Sequence, residues 1–187
     1  GIPVLDWGLR VPAIDFTQLF VVLLVLVVSL TVHEAAHAWS ADRLGDPTAR
    51  MLGRVSLNPA VHIDPIGTLL FPLIALVTNL PVLGWAKPVP VNTARLHPNW
   101  KGKYMAISAA GPASNLVLAI GAAIIGRLLT DSVAEPVLQR VVVLNVFLAV
   151  FNMIPVPPLD GGNVLSGLLS AAPARAFDAL RPYGFVI

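Results

Sequence analysis

Hydrophobic residues in this chain fall into long blocks separated by polar connectors. In the first block, residues 16–39, every position from Leu19 to Leu30 is apolar except Ser29. Such a run predicts a membrane-crossing helix. His33 lies 18 residues after Asp15, a helical rise of about 27 Å and so nearly the hydrocarbon thickness of a bilayer. It is therefore expected toward the face opposite the N-terminus. A second block, 66–80, is marginal as a span, because Pro72 predicts a kink and Thr78 and Asn79 shorten it. The third, 104–129, opens with Ser108, Ala109, Ala110, Gly111, Ala113 and Ser114. Small residues let helix backbones approach closely inside lipid. The fourth, 137–153, breaks at Pro155-Val156-Pro157-Pro158. A short helix is expected to resume after Gly162 and run to about Ser170, followed by an amphipathic tail with Arg175, Asp178 and Arg181. The pattern predicts an all-α polytopic membrane protein with about four transmembrane helices, one of them broken at a Pro-rich motif.

The connectors carry their own signals. Gly45-Asp46-Pro47 predicts the end of the first helix, with Gly at the stop and Pro beyond it. Asp64-Pro65 reads as an N-cap followed by Pro in the first helical position. Between Gly84 and Asn92 two closely spaced prolines preclude a helix, so short extended chain is expected there. The sequence closes on Gly184-Phe185-Val186-Ile187 as a new apolar run begins, and a further span is expected to follow. Residues 1–187 read as one membrane-embedded domain.

Composition narrows the function classes. Apolar residues make up 56% of the 187 and charged residues only 12%, about half the charge of a soluble domain. The net charge is +2 and the basic residues are scattered, which gives no nucleic-acid-binding surface. With no cysteine, any metal must be held by His, Asp or Glu. The first block is not a signal peptide by pattern: Asp6 and Asp15 flank Arg10 ahead of it, and two His and a Glu follow where a small-residue cleavage site belongs. Lys and Arg are balanced between alternate connectors, so they set no orientation. Trp39, Trp85 and Trp100 are expected as interface anchors.

Chemistry concentrates in His33-Glu34-Ala35-Ala36-His37. On a helix the two imidazoles share one face and reach one metal ion, with Glu34 beside it as a base for a water at that ion. The bland alternative is a polar patch meeting lipid headgroups. Three ionisable groups at the end of a Leu/Val run are costly at membrane depth and usually mark function. A catalytic zinc takes three protein ligands, so one is missing. Asp160 is the best candidate. It sits in Pro158-Leu159-Asp160-Gly161-Gly162, which would make a good surface turn. Apolar segments flank it on both sides, however, and a helix break at membrane depth must be buried or line a watery cavity. His62 and His97 lie in polar connectors and are read as surface or capping residues.

These motifs resemble the site-2 protease family of intramembrane zinc metalloproteases, in its compact form without an inserted soluble domain. His33-Glu34-x-x-His37 matches the first family motif, and Asn152-x-x-Pro155-x-Pro157-x-Leu159-Asp160-Gly161 the second. Asn58-Pro59 with His62-Ile63-Asp64-Pro65-x-Gly67, the 84–92 segment, and Ala110-Gly111-Pro112-x-x-Asn115 are also similar, over roughly residues 19–187. The resemblance implies one zinc ion held by His33, His37 and Asp160, and Glu34 as general base. It also implies Asn115 near the active site, orienting substrate or stabilising an oxyanion; the bland alternative for this residue is an interhelical hydrogen bond. Asn152 is expected to satisfy backbone groups freed by the prolines. The expected partners are a transmembrane protein substrate and the lipid bilayer, in a prokaryotic cell membrane. The alternatives are a membrane metal carrier, which would need a polar path that the blocks lack, and an inactive substrate-binding scaffold, which the intact Glu34 argues against.

Overall fold

The computed structural model describes residues 16–78, 85–129 and 132–180. The described residues are helical or irregular, with no strand among them. Helix α1 runs Phe16–Arg43 (28 residues). A short α2, Thr48–Met51, follows. A one-turn π-helix, Pro65–Leu70, leads into α3, Phe71–Val77. Helix α4 is Trp100–Leu128 (29 residues), α5 Glu135–Asn152 (18 residues), α6 Asp160–Leu168 and α7 Ala171–Asp178.

Among the described residues three helices, α1, α4 and α5, are long and apolar enough to cross a membrane. The expected count of about four is not confirmed among the described residues. The block at 66–80 yields only a short apolar helix, Pro65–Ala75, about half the length that a hydrocarbon core requires. Pro72 lies in the first turn of α3, directly after the π-turn, so the chain departs from regular α-helix just ahead of the proline. Asn79, Gly84, Arg181 and the closing 184–187 run lie outside the described residues.

Helix α4 is the centre of the fold and packs on α1, α5 and α6. It runs antiparallel to α1, whose far end meets it where Ala41, Leu96 and Ile107 form a buried cluster. A second cluster joins Leu26, Leu30 and Leu148 of α1 and α5 with Ala86 of the connector. Outward faces carry Phe20, Leu24 and Val28 on α1, Val117, Ile120 and Ile124 on α4, and Val143 and Val150 on α5, all exposed. A protein in water would not leave these apolar stripes bare; lipid covers them without cost.

The two connectors fold back over the far end of α1. Gly45 has φ +111°, a conformation that favours glycine, and ends α1 as expected. Asp46 is fully buried and joins the connectors: its carboxylate accepts from Thr48 N at 3.1 Å and from Asn92 N at 2.6 Å. Asp64 caps the π-turn by accepting from Ile66 N and Gly67 N. The 85–92 segment is neither helix nor strand. It is held by Trp85 N donating to Gly67 O (3.1 Å), Lys87 N to His62 O (2.8 Å), and the Arg54 guanidinium to Lys87 O. The Trp85 ring lies where a Cβ on Gly67 would be, so this closeness requires glycine. His62 departs from the expected surface role: it is buried, with Nε2 2.8 Å from Ser56 O. His97 is exposed at the end of a short turn, as expected.

Candidate metal centre

The motif His33-Glu34-x-x-His37 sits near the far end of α1, and its helical spacing puts both imidazoles against α4. Their Nε2 atoms are 3.0 Å apart. Asp160 Oδ2 completes a triangle, 3.2 Å from His33 Nε2 and 3.3 Å from His37 Nε2. Two residues one helical turn apart and a third far along the sequence thus offer ligand atoms to one point, and both His are buried.

The break after α5 places Asp160. Helix α6 starts at Asp160 itself, not after Gly162 as the glycine pair suggested. A Cβ on Gly161 would stand 2.3 Å from Met153 O, and one on Gly162 2.7 Å from Pro157 N. Both glycines therefore serve inside the first turn of α6, letting it pack directly on the Met153–Pro157 bend. Asn152 donates to Leu148 O in its own helix at 2.9 Å, one turn back, so it does not serve the prolines.

The outer nitrogens set how the imidazoles can act. His37 Nδ1 is 2.7 Å from Ile107 O. A carbonyl only accepts, so Nδ1 carries the proton and neutral His37 turns a bare Nε2 lone pair to the triangle. His33 Nδ1 is 2.6 Å from Asn115 Oδ1, the same arrangement. Two lone pairs and a carboxylate oxygen at this separation repel unless a cation lies among them. Four tetrahedral donors about 2.0–2.1 Å from one ion stand about 3.3 Å from each other. The donor set and its spacing fit a small divalent ion.

Helix α4 comes unusually close. A Cβ on Gly111 would lie 2.4 Å from His37 Nε2 and 2.6 Å from His33 Nε2. Gly111→Ala is expected to cut metal affinity by more than tenfold while the helices still assemble, read by chelator competition and circular dichroism. Unchanged affinity would show that α4 yields easily.

The triangle lines a cleft of about 410 Å³ shared with Glu34, Trp85, Pro88, Val89, Tyr104 and Asn163. That size suits a ligand site. Glu34 Oε2 accepts from Val89 N at 3.1 Å, which ties the carboxylate to the connector. Burial lowers the pKa of Arg54, behind this connector, while the nearby Glu34 carboxylate raises it. Asn115 is completely buried and does not line the cleft; it stands behind His33, so the geometry favours the interhelical role over substrate contact. Trp39, Trp85 and Trp100 are all exposed, as anchors would be, and Trp85 also packs on Phe71.

The profile of peptidase family M50 matches residues 127–186, which include Asp160. The candidate zinc metalloprotease YwhC of Bacillus subtilis is 35% identical over 174 residues, covering 87% of this chain and 75% of that protein. The chain belongs to peptidase family M50, the site-2 protease family. Further relatives in the same sense are two candidate zinc metalloproteases named Rip2. The one from Mycolicibacterium smegmatis is 31% identical over 86% of this chain and 62% of its own length. The one from Mycobacterium tuberculosis is 29% identical over 96% of this chain and 69% of its own. No solved structure gives a significant match. The family is one of metalloproteases, and the three apolar helices make this member a multi-pass membrane protein.

Proposed function

We propose that this chain is a zinc-dependent intramembrane endopeptidase that hydrolyses peptide bonds in or near transmembrane segments of other membrane proteins. The observation that carries the reading is the triangle of His33, His37 and Asp160 donors at 3.0–3.3 Å, beside Glu34 in the lining of one cleft. His33, His37 and Asp160 would hold the ion, and the names of the relatives support zinc. Bound there, the ion would act as a Lewis acid and make a water acidic enough to react near neutral pH. Glu34 would take that proton as the water oxygen attacks the peptide carbonyl. It would then hand the proton to the amide nitrogen as the C–N bond breaks. The buried site keeps bulk water from competing for these charges, which strengthens each electrostatic contact. A substrate helix hides its carbonyls, so it must unwind locally to reach the cleft.

The test is metal analysis of the purified protein with cleavage of a test transmembrane protein. About one zinc per chain and cleavage that stops on chelation and returns with zinc are expected. Cleavage that survives complete metal removal would refute the reading. A membrane metal carrier is the outcome if zinc crosses vesicles and no peptide bond is cut.

A further inference from the structure

The hydrogen bonds behind His33 continue into a third helix. Asn145 of α5 is completely buried, and so is Asn115 of α4. Asn145 Nδ2 donates to Val141 O at 2.8 Å and to Ser29 Oγ at 2.9 Å. Its Oδ1 accepts from Asn115 Nδ2 at 2.7 Å. Asn115 Nδ2 also faces Ser29 O at 3.4 Å, and Asn115 Oδ1 faces His33 Nδ1 at 2.6 Å.

The polarity of this chain is fixed from its remote end. The Val141 carbonyl only accepts, so the Asn145 amide must turn its NH2 there and its oxygen toward Asn115. Asn115 must then present its NH2 to Asn145 and its oxygen to His33. An oxygen at that point requires the proton on His33 Nδ1 and leaves Nε2 bare. We infer that Asn145 is a positioning residue for the metal centre, acting through Asn115 to hold His33 in its metal-binding tautomer. This deepens the proposed function and rests on His33 being a ligand. A purely structural role would be interhelical adhesion, which buried Asn side chains also supply inside membranes.

The two roles separate in variants. Asn145→Leu removes the closer of the two acceptors that orient Asn115 and leaves only the long contact to Ser29 O, and zinc affinity should fall about tenfold or more, in the range seen when outer partners of metal-bound histidines are lost. Asn145→Asp, neutral when buried, keeps an acceptor toward Asn115 but has one O–H donor where the amide made two donations, to Val141 O and Ser29 Oγ. It should lower the thermal stability of the metal-free protein yet hold zinc within about threefold of the parent, because the polarity toward His33 is kept. In an Asn115→Leu background, Asn145→Leu should weaken zinc no further, since the path is already cut. Zinc affinity is read on the full chain in micelles by competition with a chelator of known strength, and stability by thermal melts.

Equal affinity in the parent and Asn145→Leu would overturn the inference. So would a loss in Asn145→Asp as large as in Asn145→Leu, since that tracks stability and not polarity. Should Asn145→Leu fail to assemble, the Asp variant decides alone. His33→Ala separates this from the metal-site reading: if it binds zinc like the parent, the metal site itself is wrong, whereas its loss beside an unaffected Asn145→Leu refutes only the relay.

Discussion

Glu34→Gln is expected to keep its zinc and lose its catalysis. Glutamine matches glutamate in shape and can still accept from Val89 N, the contact that Glu34 makes at 3.1 Å. It cannot take up a proton from water. Cleavage of a transmembrane substrate should fall by about 10²–10⁴-fold, the usual size of a general-base contribution. Zinc content and thermal stability should match the parent. Cleavage at the parent rate would remove Glu34 from the mechanism.

Asp160→Ala should act on the metal instead. It removes one of three donors and leaves two imidazoles on one helix. Zinc then no longer ties α6 to α1. In the parent, saturating zinc should raise the melting temperature, because a ligand bound only to the folded form stabilises it by about 2.7 kcal/mol at a hundred times its Kd. In Asp160→Ala that rise should vanish, and parent and variant should melt more nearly together in chelator. Asp160→Glu retains a carboxylate with one more methylene. It should bind some zinc yet lose about 10²-fold in cleavage, as a misplacement near 1 Å can cost that much. Full occupancy and full cleavage in Asp160→Ala would send the search for a third donor elsewhere.

Much of this site was legible in the sequence because its signals are local or costly. The spacing of His33 and His37 converges on one face of any helix, and an apolar run before them left little doubt of a helix. Asp160 stood out as a carboxylate at a break in an apolar segment. Less legible was whatever depended on how the helices meet. Gly111 read as one small residue among several, whereas its missing Cβ is what admits the two Nε2 atoms. Asn145 carried a usable signal that went unread: an amide alone in the apolar run 141–151 must find partners inside the membrane. The buried state of His62 and the contact of Glu34 with Val89 come from connectors folding back, and no periodicity announces that. The block at 66–80 stayed marginal in the sequence because apolar content alone does not distinguish a span from a short helix, and its described part is the short helix Pro65–Ala75.

The close approach at Gly111 also governs what the centre can accept. The wall facing the two imidazoles is main chain, part of a long helix wedged against its neighbours. A wall of side chains can swing to new rotamers for a larger guest; a wall of backbone can yield only by shifting a whole helix. Calcium prefers six to eight oxygens at about 2.3–2.6 Å, and making room for it would mean moving α4 away from α1. Discrimination among ions in this fold is thus a matter of stiffness as much as of ligand chemistry.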